Sequence, residues 1–418
     1  MKSFKNKIMY KLTFQRIILF IIILMASLMS FAQKMYDTSS PFGWANCMSM
    51  SSGDNYAVTG GGAYDIDMPE TIPRKKVAIL KSTGKDMAKD IVSAINKNDI
   101  VILDGSAGDF LVSKTMRLDS LHNKTIIGRN NARLCTQFYL TPELRKAMDD
   151  NKVKSYSTSR APQLLVLPNG AKVKEEREYM VRKITQEMTH DAKENYRRAG
   201  IMGLSRCENI VIRNITFIGP GAIDVGGSDL ITVSYHSRHI WIDHCELVDG
   251  MDGSLDINGF ADFVTVSWCH FRYTERTYDH ANTSLVGSGD NAEFNGRDNL
   301  NVTYAYCHWG EGCNQRMPMV RFGTVHVLNN YYTCVGNSAA INPRLESEVL
   351  TEGCYFAKGV KKMFKTNDAK AYTLKNNYYT EKFKQPADFG AVVVPYSYDV
   401  IPVADVPAIV GTRAGVIK

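Results

Sequence analysis

The sequence predicts an all-β chain wound as a parallel β-helix, a solenoid broken by one helical insertion. Two observations carry this. Six segments end on the same short phrase, a Cys or Asn, one variable residue, then an aromatic or Leu: Cys245 to Leu247, Cys269 to Phe271, Cys307 to Trp309, Asn330 to Tyr332, Cys354 to Phe356 and Asn377 to Tyr379. The key residues lie 24, 38, 23, 24 and 23 positions apart, close to one turn of a solenoid, with one longer coil. Second, the intervening sequence is written in short β-branched runs closed by turn residues, such as Ile210 to Ile215 and Ile231 to Val233. Units of this size bury their apolar faces only by stacking, and a long stack presents a groove suited to a polymer.

Taken in chain order, residues 1–32 read as a secretory leader. Lys2, Lys5, Lys7, Lys11 and Arg16 precede the apolar run Ile17 to Met25, and Ser30-Phe31-Ala32 has the small residues of a cleavage site. A membrane anchor is the alternative, since the apolar stretch reaches almost to Met29, but the run is short for a bilayer span. Export to the periplasm or outside the cell is the expectation, with residues 33–418 forming one elongated, monomeric domain. The formal charge of +7 falls to +2 once the five basic residues of the leader are removed, which leaves no nucleic-acid footprint.

Residues 36–74, rich in Gly, Ser and Met, are expected to cover one end of the solenoid. Met87, Ile91 and Ile95 fall four apart, predicting an amphipathic capping helix over Lys85 to Lys97. Strands are predicted at Ile100 to Leu103 and Thr125 to Ile127. The rhythm then breaks between Cys135 and Gly200. Thr141-Pro142-Glu143 is a helix start, and Met180, Ile184 and Met188 form a stripe leading toward Gly200 as a stop. The segment 136–200 is therefore predicted as a helical insertion, with the charge run Lys172 to Glu178 as a solvated face. The coils resume from Cys207, and residues 386–418 read as an extended strap.

Nine cysteines in an exported chain suggest disulfides, yet four occupy a repeat position shared with Asn330 and Asn377. Equivalent residues of stacked coils lie about 4.8 Å apart with side chains parallel, which suits buried free thiols better than disulfides.

Asp252 and Asp256 flank Gly253 just before the strand Phe263 to Trp268, and Asp229 precedes the strand of an earlier coil. A turn leaving a strand can aim acids at one point, where they would repel one another unless a hard cation such as Ca²⁺ neutralised them. Solvated turn acids are the plainer alternative. Arg316 and Arg321 bracket Pro318 two coils later, and the proline favours a rigid presentation. Ordinary exposed cations are the plainer alternative there.

Several motifs together are more specific. Trp241-Ile242-Asp243-His244, Asp252-Gly253 with Asp256, Val264-Thr265-Val266-Ser267-Trp268, and the run from Arg316 through Arg321-Phe322-Gly323 and Val325-His326-Val327 to Asn329-Asn330-Tyr331-Tyr332 resemble the core of the pectate lyase superfamily, polysaccharide lyase family 1. Asn123 to Gly128 and Ala57 to Gly61 are similar to its earlier signatures. The resemblance covers roughly residues 56–132 and 203–380 and leaves the insertion outside. It implies a right-handed parallel β-helix that cleaves polygalacturonan, the pectin backbone, by β-elimination, with Ca²⁺ bound between enzyme and substrate. By the same resemblance Asp229, Asp252 and Asp256 are the calcium ligands, Arg316 the catalytic base and Arg321 a substrate contact. An arginine accepts a proton only after losing one, so activity at high pH is expected.

One position departs from the pattern. Asn282 stands where the family usually has a lysine that contacts a substrate carboxylate; Arg276 or Arg272 could substitute. Two other readings remain beside calcium-dependent cleavage of polygalacturonan: a lyase acting on methyl-esterified pectin, and a pectin-binding β-helix without turnover. A glycoside hydrolase would need closely paired catalytic acids, and no convincing set is present.

Overall fold

The computed structural model describes residues 41–417 apart from 52, 54–55, 63–75 and 224–225; the leader and parts of the segment 36–74 lie outside the described residues. Among the described residues no helix is long and apolar enough to cross a membrane. The chain winds as a right-handed parallel β-helix of three sheets, with ten, nine and seven strands, and each coil contributes to the first, second and third sheet in turn. Pairing between coils is parallel throughout these sheets, as in Ile231–Ser234 against Leu255–Ile257.

The repeated phrase maps onto the second sheet. Register places Leu247, Phe271, Trp309, Tyr332, Phe356 and Tyr379 in one inward row. Phe271 and Trp309 stack at 4.3 Å between centroids, and Tyr332 and Phe356 at 4.5 Å. The Cys or Asn of the phrase sits at the corner before this row. Asn330 accepts from the Cys307 N–H (2.7 Å) and donates to the Tyr304 carbonyl (2.9 Å), and Asn377 does the same one coil pair later. The Cys thiols instead donate to carbonyls two residues back, as Cys245 does to Asp243 (3.3 Å). Either side chain satisfies a polar group that the corner would strand in the core. All nine cysteines are free and eight are buried. Burial pushes the thiols of Cys245, Cys269 and Cys313 well up, and those of Cys334 and Cys354 to about 12.

The capping helix is α1, Ala88–Lys97, whose Ile91 and Ile95 enter the main core with Met87. The insertion carries α2, Pro142–Asp150, with Thr141 accepting from the Leu144 N–H at 3.2 Å, and α3, Glu176–Thr189. It differs from expectation in two ways. Between the helices runs an antiparallel ribbon, Arg160–Val166 with Lys172–Glu175. And α3 stops at His190 in the left-handed region (φ 54°), well before Gly200. Leu144, Met148, Val181 and Ile184 form a separate core that meets the β-helix at Ile223, Met251 and Tyr278.

The long coil gains residues at both corners, between His270–Arg272 and Ser284–Val286 and again before Val302–Ala305, where a short helix α4, Ala292–Asn295, is inserted. The described part of the N-terminal segment lies along the flank of the first sheet rather than over its end. Trp44 and Ala45 donate to the hydroxyls of Thr303 and Thr265, while Gly60 donates to Asn209 and Gly61 to Thr125. Gly60 has φ 52° and no room for a side chain against Thr125 and Val211. The C-terminal strap covers the same flank through Val392, Val394 and Tyr396, packed on Trp44, and ends in α5, Val406–Arg413.

Candidate active site

The outward face of the third sheet gathers the acids. Asp256 is the outward residue of Leu255–Ile257, half-buried between two buried neighbours and paired with Thr232 of the preceding coil and Leu285 of the next. Asp229 lies in the corner before Ile231–Ser234. The next coil's Gly253 carbonyl accepts from Leu230 N there, which brings Asp229 beside the Asp252–Gly253 turn. The acids crowd this turn: a Cβ at Gly253 would lie 2.6 Å from Asp229 Oδ1 and 3.5 Å from Asp256 Oδ1, so a side chain there would push Asp229 aside. Burial, followed by the charges of Asp256 and Asp252, drives the Asp229 carboxyl well above the usual range, with Arg316 opposing. Burial likewise lifts Asp256 to about 7 against the pull of Arg316, and Asp252 adds to the lift.

Arg316 stands at a corner with φ 63°, its carbonyl accepting from Ser284 N of the preceding coil at 2.7 Å. That left-handed conformation is unfavourable for a non-glycine residue, and the bonds to neighbouring coils hold it. Arg321 follows the strand Met319–Val320. Its Nε donates to Asp290 (2.8 Å) and its Nη1 to the Gly287 carbonyl (3.2 Å). Burial lowers the Arg321 pKa, and the charges of Arg344 and Arg316 lower it further. Register puts Arg344 one coil beyond Arg321. Sequence reasoning missed Arg344, although its distance of 23 residues from Arg321 equals the repeat.

The structure relocates two expected substrate contacts. Asn282 is only 2% exposed, and its amide is taken up by Gln315 Nε2 (2.6 Å) and His280 Nε2 (2.7 Å). The side chain between it and the acids is His280, whose Nε2 lies 3.1 Å from Asp252 Oδ1. Arg276 does not join the acids; with Arg133 and Arg272 it lines a cleft on the second sheet. The corner carrying His280 is braced by the insertion. Arg145 donates to the Thr277 carbonyl (3.0 Å), the Tyr278 hydroxyl donates to Asp149 (2.9 Å), and Arg177 pairs with Asp279.

Asp229, Asp252 and Asp256 are all hard oxygen donors, and their crowding is the kind a divalent cation relieves. Among the described residues no group of three His, Cys, Asp or Glu side chains stands close enough to hold a metal ion by itself.

Comparison with known proteins gives this arrangement its family. The pectate lyase family model matches residues 169–416, more than half of the chain, a span that includes Asp229, Asp252, Asp256, Arg316 and Arg321. The chain belongs to the pectate lyase family. Pectate lyase A of Emericella nidulans is 34% identical over 217 residues, covering 50% of this chain and 62% of that one. A pectate trisaccharide-lyase of a Thermotoga species is 39% identical over 139 residues, 32% of this chain and 36% of that one. The chain thus spans less than two thirds of the length of these relatives. Among solved structures, a Bacillus pectate lyase in complex with trigalacturonate superposes with a TM-score of 0.57 at 19% identity, covering 90% of this chain and 99% of that one. The major cedar-pollen allergen has the same fold (TM-score 0.51, 16% identity, 82% and 89% covered). At such identities the pectate lyase fold is what is shared.

Proposed function

We propose that this pectate lyase family member cleaves α-1,4-polygalacturonan by calcium-assisted β-elimination outside the cytoplasm, as a monomer. The observation that carries the reading is the gathering of Asp229, Asp252 and Asp256 from adjacent coils of one sheet, with Arg316 close enough for its charge to act on Asp229 and Asp256. The family relation and the trigalacturonate held by the Bacillus relative support the substrate class.

Elimination needs the proton on C5 removed, next to the C6 carboxylate, although the carbanion would form beside an existing negative charge. Calcium held by Asp229, Asp252 and Asp256 and by the uronate carboxylate would withdraw that charge and so acidify C5. Arg316, in its neutral form, takes the C5 proton; the electron pair forms the C4–C5 double bond, and the bond from C4 to the bridging oxygen breaks, its electron pair leaving on that oxygen, which takes a proton from water. Arg321, held in place by Asp290 and Gly287, presents a fixed cation to the carboxylate as charge builds. Asp252 and His280 set the edge of the site.

The direct test is the ultraviolet absorbance of the unsaturated product on polygalacturonate, with and without chelator. Absorbance that appears with calcium and vanishes with chelator supports the reading. New reducing ends without absorbance would indicate a hydrolase, and retention of polymer without either would indicate a binding protein.

A further inference from the structure

We propose that the basic cleft at the N-terminal end of the third sheet is a distal binding track for carboxylates of the same uronate chain, making the protein select long polyanions over short ones. This rests on the lyase reading for the identity of the chain, and it stands on a different part of the molecule.

The cleft has a volume of about 810 Å³ and lies between α1 and the first strands of the third sheet. Its lining includes Lys89, Lys97, Lys114, Arg117 and Arg198 and no carboxylate. All five cations are exposed, and none forms a salt bridge among the described residues. Lys114 acts on Asp86 without forming a close ion pair with it, and with no carboxylate in its lining the cleft keeps an excess of positive charge among the described residues. Val92 and the buried Met116 supply an apolar floor on which sugar rings can rest.

Register connects this cleft to the acids. Arg117 is the outward residue of Met116–Asp119 and pairs with Gly203, Gly203 with Thr232, and Thr232 with Asp256. The row from Asp256 to Arg117 therefore passes over only a threonine and a glycine. A Cβ at Gly203 would meet nothing nearer than Thr115 at 3.8 Å, so the floor is open there. The cleft also adjoins the acids directly, because Ser228 lines it and is followed in sequence by Asp229. Gly200 lets the two meet: a Cβ on it would lie 2.5 Å from the Asp229 carbonyl and 3.0 Å from Thr115 Oγ1.

Distance decides how the cleft can act. Continuing the same row, Asp256 pairs with Leu285 and Leu285 with Met319, beside Arg316. Five coil steps separate that row position from Arg117, about 24 Å at about 4.8 Å per coil. This exceeds the screening length of about 8 Å at physiological ionic strength, so the field of the Arg117 end of the cleft does not reach chemistry at Arg316. It acts by touching a chain long enough to lie in both places.

The test is the double substitution Lys114→Glu with Arg117→Glu, both on exposed positions, assayed on polygalacturonate and on trigalacturonate. The ratio of kcat/KM for polymer over trimer should fall by about two- to thirtyfold, the range that two exposed charge contacts span, with the trimer rate within about twofold of the parent. Lys89→Glu on α1 should lower the same ratio in a smaller step. An unchanged ratio, or an equal fall on both substrates, overturns the proposal. Retention of each protein in a polygalacturonate-containing native gel is read in parallel and needs no turnover. If the parent cleaves neither substrate, the lyase reading fails, and the gel alone decides the track: weaker retention of the variant upholds it, equal retention overturns it.

Discussion

Replacing Asp256 by Asn separates the cost of assembling the acids from their use. Burial, reinforced by Asp252 and opposed by Arg316, raises this carboxyl from 3.8 to about 7. At about 1.4 kcal/mol per pKa unit the penalty of keeping it ionised has a ceiling of about 4 kcal/mol. Because the side chain is only half-buried and groove water screens it, about 1 to 2 kcal/mol is the expected net cost at neutral pH. The folded group binds its proton more tightly than the unfolded chain does, so the folded state holds more protons between about pH 4 and pH 7 and loses stability as pH rises through that window. Asn keeps an oxygen to accept the Leu285 N–H and carries no charge. In chelator at neutral pH, Asp256→Asn should therefore be more stable than the parent by about 1 to 2 kcal/mol, the gain shrinking toward about pH 4. Calcium-dependent turnover should fall at the same time. Denaturant unfolding in chelator across a pH series measures the first effect, and product absorbance measures the second. A variant that is equally or less stable in chelator at neutral pH would refute the reasoning, because the acids would then carry no unrelieved repulsion or burial cost.

Arg316→Lys should lose at least about a hundredfold in kcat, the usual scale of general-base catalysis, while polymer retention changes only a few-fold; a variant keeping a tenth of the parent rate would point to another base. Asp252→Ala should raise the calcium concentration giving half-maximal rate, read by titrating chelated enzyme, and an unshifted midpoint would remove Asp252 from the ligand set. Trp309→Ala, at a fully buried ring between Phe271 and Tyr332, should cost about 3 to 5 kcal/mol in denaturant unfolding. His308 is pushed down to about 3 by burial and by the neighbouring His270 charge, so the unfolded chain takes up its proton first. Stability should fall as pH drops from about 6.5 toward 3, and His308→Gln should flatten that slope.

The coils were legible because the stacked row of the second sheet needs an inward aromatic or Leu at every turn, and a strict spatial repeat becomes a strict spacing in sequence. Asp229, Asp252, Asp256, Arg316 and Arg321 were legible through motif, whereas Arg344 was not. What stayed hidden had no such imprint. The flank-lying segment around Trp44 and Gly60 is held by backbone N–H groups donating to Thr and Asn side chains of the sheet, which leaves no pattern in its own residues. The ribbon Arg160–Val166 with Lys172–Glu175 is largely exposed and carries no clean alternation, so its charges read as loop or helix surface. The exchange of Asn282 for His280 as the side chain facing the acids depends on which of two near neighbours is buried, and spacing alone cannot decide that.

The free thiols have a consequence for how the molecule comes apart. Cys207, Cys245, Cys269, Cys307, Cys334 and Cys354 mark successive positions along the axis, each sealed within its own coil. An alkylating reagent can reach such a thiol only while that coil is open. In a stack whose units contact only their neighbours, opening is free to start at one end and travel. Pulse labelling followed by mass analysis of each cysteine peptide would therefore read the order in which the coils fray, using reporters that the chain already carries at near-regular intervals.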